Sequence, residues 1–368
     1  MFDCPSKIHF SSSLEEKNSF WDSLSLLRSN DIFLLMEEKT KNLFYPSLKK
    51  HLPNSPHYVL PSAQEDLKSF FYYEKVIQSM LTQSISRKGC LIAIGGGSLL
   101  DLAGFVASTY ARGIKLAFIP TTFLSMVDAC LGGKTALNVL HTKNVIGTFY
   151  PASDILIALD TLSSLPFEQL QSGLAEVIKY SLIASPALFI KLSQNKDLFF
   201  RRDLSFLQEL IEISLHIKQT IVMQDPKEKG LRRSLNFGHT LGHALEGFCQ
   251  YTLLHGFAVA IGMVLESHLS SQLSLFSKEE LYRVFHLCKE YGLLQKLPSF
   301  SYEDLLPFLQ KDKKNADGHI RCTLLSHIGT VDPLQGSYCT NLSTLEIKNC
   351  LHWYWNEDSS CYTKPRTR

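Results

Sequence analysis

A chain of 368 residues is longer than one core of ordinary size organises, so two domains are expected. The composition is globular, 45 % hydrophobic and 20 % charged, and a net charge of +2 from 37 basic and 35 acidic side chains argues against nucleic acid or a membrane surface as a main partner. No apolar run reaches membrane-spanning length, MFDCPSKIHF lacks a basic-then-apolar leader pattern, and nine scattered cysteines without a CxxC pair favour reduced thiols and a cytoplasmic location.

In chain order, DIFLLM (31–36) is predicted to be a buried strand, and Tyr58–Leu60 is a weaker second one. Residues 61–81 read as a loop entering an amphipathic helix. Cys90–Ile94 is a buried strand by length and composition. Gly95, Gly96 and Gly97 end it, and a polar-poor, buried helix is expected from Leu99 to Tyr110. A strand, a glycine turn and a helix N-terminus can cradle a phosphate, because backbone amides approach an anion where no Cβ intervenes. The pattern is not GxGxxG, and a plain tight turn remains its alternative. The next strand, KLAFIP, ends at Pro120 and is followed by Thr121 and Thr122, where open α/β sheets bind ligands. Residues 127–151 set Asp128, Lys134, Asn138, Lys143 and Asn144 among glycines, which suits phosphate binding or a solvated loop. With a last strand at Asp154–Leu159, the alternation predicts a doubly wound nucleotide-binding domain over 1–165.

From Pro166 helical periodicity dominates to about residue 312, which defines a second domain over 166–368. Glu176 and Lys179 share one helical face among apolar neighbours, so a buried Glu176 needs a partner. Lys218 sits near the end of a long helix, ahead of Asp225, Glu228 and Arg232. Ordinary surface charge is the alternative reading for each. The stretch RRSLNFGHTLGHALEGFCQYTLLH (232–255) concentrates metal-ligand types. His239 and His243 are one helical turn apart, His255 follows, and Arg232 and Asn236 precede them at the same four-residue spacing. Core histidines are the alternative. Thr240 follows His239, so the stretch is not the HExxH of a zincin.

Taken together, GGGSLLDLAGFVASTYARG, PTTFLSMVDACLGGKTALN, KNVIGTFYP, SGLAEVIKY, RRSLNFGHTLGHALE and LLHGFAVAIGM resemble the 3-dehydroquinate synthases, in that family's order over about 95–265. Weaker echoes lie at 61–69 and in KDKKNADG. The resemblance implies a Rossmann-like NAD-binding domain followed by a mostly α-helical metal-binding domain. It implies Zn²⁺, or Co²⁺ in its place, on Glu176, His239 and His255. NAD would lie against Glu65, Lys68, Gly97, Ser98, Leu99, Leu100, Asp101, Thr121, Thr122, Lys134, Lys143, Thr161, Leu162, Ser163 and Ser164. His243 would be an acid/base that also contacts phosphate. Asp128, Lys179, Glu228 and Asn236 match active-site positions. Lys218 and Arg232 would hold the carboxylate of a small-molecule sugar phosphate, 3-deoxy-D-arabino-heptulosonate 7-phosphate, and Lys134, Asn144 and His243 its phosphate. Arg112 would reach the phosphate from the other subunit of a homodimer, and Lys313 or Lys314 would close over it.

The implied chemistry is transient oxidation at C5 by NAD, loss of phosphate, re-reduction, ring opening and an intramolecular aldol closure. A polyol dehydrogenase of the glycerol dehydrogenase or iron-containing alcohol dehydrogenase kind is the competing reading, since its glycine turn looks like GGGSLLD. Four positions depart from the family. Leu100 stands where GGGxxGD has glycine, and is expected to crowd the turn and weaken NAD binding. Gln64 replaces the glycine before Glu65. Met36 and Glu37 replace a Thr-Asx pair. Phe257 replaces the glutamate after the third ligand, which removes a carboxylate there.

Overall fold

The computed structural model of the chain describes residues 6–25, 27–61, 65–140, 142–298, 300–310 and 320–357. It divides into two units, Met1–Leu170 and Gln171–Arg368.

The first unit is built on a parallel sheet of β1 (Lys7–Ser11), β2 (Ile32–Glu37), β3 (His57–Leu60), β4 (Cys90–Gly95), β5 (Lys115–Pro120) and β8 (Asp154–Ala158), in the order β1-β8-β5-β4-β2-β3. Every residue of β2, β4 and β8 is buried, as a sheet covered on both faces requires. Ile32, Leu34 and Met36 share one face with Cys90, Ile92 and Ile94. They pack with Phe20 and Trp21 of α1 (Ser19–Leu24) and Leu48 of α2 (Glu38–His51). From β3 the chain passes through α3 (Phe70–Thr82) back to β4, then through α4 (Gly97–Thr109) to β5 on the opposite side. Strand order therefore reverses beside β4, where a doubly wound sheet opens a crevice at its carboxyl ends. An antiparallel hairpin, β6 (Leu137–Val139) with β7 (Thr142–Ile146), precedes β8.

The second unit is helical: α5 (Phe167–Ala184, which starts just before the division), α6 (Pro186–Gln194), α7 (Lys196–Phe200), α8 (Leu204–Gln224), α9 (His239–Phe248), α10 (His255–Gln272), α11 (Lys278–Glu290), α12 (Tyr302–Leu309) and α13 (Thr344–Glu357). Four short strands lie before α13. They are β9 (Ile320–Cys322), which pairs with β12 (Thr340–Leu342), and β10 (Leu325–His327), which pairs with β11 (Thr330–Val331). Helix α10 is buried from Gly256 to Ser270, which makes it the central rod of the unit. Its contact with α9 depends on glycine. Gly238 precedes α9 with φ +79°, and a Cβ at Gly262 would lie 1.9 Å from the Gly238 carbonyl oxygen. Among the described residues no helix is long and apolar enough to cross a membrane.

Several elements were not anticipated. Strand β1 is a five-residue edge strand with only one buried residue, and β9 to β12 hold two or three residues each, too few for a periodic signal. The alternative of a solvated loop for 127–151 gives way to a wide helical turn at Ser125–Ala129 and the β6–β7 hairpin.

Candidate active site

Three helices of the second unit bring the expected ligand types together. Glu176 lies on α5, His239 opens α9 and His255 opens α10. Nε2 of each histidine is 3.4 Å from Oε1 of Glu176. One ligand atom from each of the three residues lies within 4.8 Å of the others. Glu176 is 1 % exposed, and neither carboxylate oxygen makes a well-formed hydrogen bond.

The far side of each ring has a partner as well. His239 Nδ1 is 3.1 Å from the Phe237 carbonyl oxygen, and His255 Nδ1 is 3.4 Å from Oε2 of Glu246. Carbonyls and carboxylates only accept, so both rings carry a proton on Nδ1 and turn Nε2 toward Glu176. Two nitrogens and a carboxylate facing one another away from water repel unless a proton or a cation lies among them. Burial holds His239 below the usual imidazole range. At His255 burial acts the same way, but the Glu246 and Glu176 carboxylates outweigh it and push the ring up to about 10. Burial would raise Glu176, yet the charges of Lys179 and His239 hold it well below the usual carboxylate range. A carboxylate with two imidazoles suits a divalent Zn²⁺ or Co²⁺ and leaves coordination positions for a substrate, so the residues present fit a catalytic metal.

Around this cluster Lys179 pairs with Glu176 and is itself buried. His243, one turn after His239, faces outward with a 42 % exposed side chain. Its ring centroid is 5.3 Å from that of His239 and 5.9 Å from that of His255. Lys218, on α8, and Arg232 are buried, and Arg232 Nη1 donates to the Pro226 carbonyl at 2.7 Å. The Asp225 carboxylate shapes this loop by accepting from the amides of Lys229, Gly230 and Arg232. The Asn236 amide donates to Glu228 Oε1 at 2.7 Å. Lys313 and Lys314 lie outside the described residues.

In the first unit the glycine turn opens α4, so the amides of Gly97, Ser98 and Leu99 precede the first intrahelical bond. The Leu100 amide is already donated to the Gly96 carbonyl at 3.1 Å. The side chain of Leu100, expected to crowd the turn, is 1 % exposed on α4. Lys68 is buried, with Nζ 2.9 Å from Oε1 of Glu65, 3.0 Å from Oδ2 of Asp101, and in contact with Oδ1 of Asn144. Ser98 donates to the other Glu65 oxygen at 2.9 Å. The Asn138 side chain binds Glu65 Oε1 at 3.1 Å and accepts from the Asn144 amide at 2.9 Å. Residues expected near two different ligands therefore share one network. Burial would raise the Glu65 carboxyl, but Lys68 and Lys143 hold it below the usual range.

Thr122 bonds Ser125, and Thr121 continues the backbone pairing by donating to Gly95. The hydroxyls of Thr161, Ser163 and Ser164 all donate to backbone carbonyls of their own short turn, which also carries Leu162. Asp128 lies on the Ser125–Ala129 turn and Lys143 on β7. Lys134 is exposed and its backbone pairs with Phe149. Arg112 is exposed, in a left-handed turn at φ +67°. Gln64 is outside the described residues, and Glu37 is buried at the end of β2.

Sequence reasoning missed two carboxylates. Glu246, three residues after His243, is buried at 4 % exposure beneath the imidazoles. Glu266, on α10, is fully buried and accepts from the amides of Gly238, Thr240 and Leu241 at 2.7, 3.2 and 3.4 Å, so it caps α9 from a neighbouring helix. The available signal was an acidic residue set in an otherwise apolar helix.

A family model described as 3-dehydroquinate synthase N-terminal matches residues 58–172, and one described as 3-dehydroquinate synthase C-terminal matches 173–315. Curated 3-dehydroquinate synthases from Thermodesulfovibrio yellowstonii and Pseudoalteromonas translucida are 41 % and 42 % identical over 74 % and 75 % of this chain, and 77 % and 78 % of their own length. Among solved structures, the 2-epi-5-epi-valiolone synthase ValA of Streptomyces hygroscopicus subsp. jinggangensis, with NAD⁺ and Zn²⁺ bound, is 26 % identical. Its TM-score is 0.86, over 97 % of this chain and 99 % of that one. Fold, carboxylate–imidazole cluster and sequence agree: the chain belongs to the 3-dehydroquinate synthase family.

Proposed function

We propose that the chain converts 3-deoxy-D-arabino-heptulosonate 7-phosphate to 3-dehydroquinate and phosphate, as a carbon–oxygen lyase that uses NAD and zinc catalytically. The observation that carries the reading is the meeting of Glu176, His239 and His255 beside buried Lys179, in a chain of this family. Those three residues would hold the metal, and the α4 turn with Glu65, Lys68 and Asp101 would hold the dinucleotide. When bound, NAD⁺ supplies a reversible hydride acceptor and the metal a Lewis acid for the substrate's hydroxyls.

The chain's own residues do the rest. Lys218 and Arg232 bind the carboxylate, for which a guanidinium offers two parallel donors. Lys134, Asn144 and His243 bind the phosphate. Nε2 of His243 would take and return a proton, its ring being the most exposed of the three imidazoles, at 42 % against 13 % for His239 and 31 % for His255. Glu228 holds Asn236 at the substrate's side. Arg112 serves the site of a second copy, which makes the working form a homodimer. The reaction runs in the cytoplasm, in keeping with seven described cysteines that form no disulfide.

The test is phosphate release from the heptulosonate phosphate, with and without chelator and with NAD varied. The expected result is phosphate release that needs NAD, is lost with chelator, and leaves no net NADH. Net NADH from a simple polyol, with no phosphate released, would make the chain a polyol dehydrogenase instead.

A further inference from the structure

Glu246 lies on α9, three residues after His243, and is buried at 4 % exposure. Its Oε2 is 3.4 Å from Nδ1 of His255 and 4.0 Å from Nε2 of His243. One buried oxygen thus sits beneath both imidazoles, and it meets His255 on the ring nitrogen opposite the one facing Glu176.

We propose that Glu246 is a positioning residue of the metal centre: its carboxylate accepts the Nδ1 proton of His255, fixes that ring's tautomer, and aims Nε2 at the space shared with Glu176 and His239. The proposal rests on the metal reading of that cluster and extends it to a residue with no role there so far. A carboxylate behind a ligating imidazole raises its basicity and locks its orientation, and losing such a partner typically lowers metal affinity about 10–100-fold. His239 uses the Phe237 carbonyl for the same purpose, so the two rings differ in support. A backbone carbonyl is neutral, whereas Glu246 supplies charge, so removing that charge weakens the His255 side alone.

Glu246, His243 and His255 also form a second set of ligand atoms within 4.8 Å. That set uses the same imidazole, and the Nδ1–H donated to Glu246 leaves no lone pair there for an ion.

The experiment is Glu246→Gln in the full chain, titrated with Zn²⁺ against a chromophoric chelator and with Co²⁺ by visible absorption. The expected result is one ion per chain in both proteins, about 10–100-fold weaker in the variant, with a changed Co²⁺ band. Equal affinity and an identical band overturn the proposal while leaving the metal reading intact. A parent protein that binds no ion at this site overturns the metal reading itself. Two ions per chain, one of them lost in Glu246→Gln, would make Glu246 a ligand and overturn its positioning role. If Glu246→Gln does not fold, Glu246→Asp keeps the charge but withdraws it by one methylene. A smaller affinity loss supports the proposal, and unchanged affinity overturns it.

Discussion

Gly262→Ala tests whether the approach of α9 to α10 sets the ligand geometry. The new Cβ would lie 1.9 Å from the Gly238 carbonyl oxygen and 2.8 Å from the Gly242 nitrogen, and both are backbone atoms with no side-chain freedom to yield. Ordinary contact begins at 3.4 Å, so the carbonyl must retreat by 1.5 Å (3.4 − 1.9). Gly238 directly precedes His239, so the displacement passes into an imidazole whose Nε2 is 3.4 Å from Oε1 of Glu176. Overpacking costs about 1–3 kcal/mol, and contact with rigid backbone places this case at the top of that range. At about 2–4 °C per kcal/mol for a unit of this size, the melting temperature should fall by roughly 6–12 °C. A misplacement on the order of 1 Å should also lower turnover about 100-fold. Thermal melts with and without Zn²⁺, together with steady-state phosphate release, read out both effects. A variant that melts within about 2 °C of the parent and turns over normally would refute the reasoning.

Lys218→Ala is expected to raise KM and lower kcat together, because carboxylate binding energy helps align the reacting end; unchanged kinetics would remove Lys218 from the carboxylate site. Leu100→Gly is expected to destabilise the protein by about 4 kcal/mol, from a lost core side chain plus a helical glycine, without tightening NAD. Urea melts and NAD titration check this, and tighter NAD binding at parental stability would support crowding instead. Burial holds His268, stacked on Trp353 at 4.0 Å, down at about 4 against a usual 6.5. Its neutral form is therefore favoured in the folded chain, and that stability is lost as pH falls from 6.5 towards about 4. After solvent screening the loss is about 1–2 kcal/mol. His268→Phe should flatten that part of the stability–pH curve, and an unchanged slope would assign it to other groups.

The strands β2, β4, β5 and β8 were legible because a parallel strand covered on both faces is a continuous apolar run bounded by turns. The turn at Gly95–Gly97 and the spacing of His239 and His243 were legible for equally local reasons. Glu176 was different. It lies 63 residues before His239 (239 − 176), and no periodicity joins them, so only resemblance to the family linked the two. Glu246 and Glu266 stayed hidden because a glutamate in a helix reads as surface charge. What distinguishes them is what surrounds them in space: two imidazoles for one, three amides for the other. For Leu100, position in a glycine-rich turn says nothing of which way a helical side chain points. The helix turns it inward.

Because Glu176, His239 and His255 come from three separate helices of one unit, an ion held by them is a cross-link as well as a catalyst. At a hundredfold excess over its dissociation constant such an ion adds about 2.7 kcal/mol to folding. On the proposed zinc dependence, zinc starvation would attack the enzyme twice, silencing its chemistry and loosening α5, α9 and α10 toward proteolysis. The amount of protein surviving in a metal-poor cell becomes a gauge of how full the site had been.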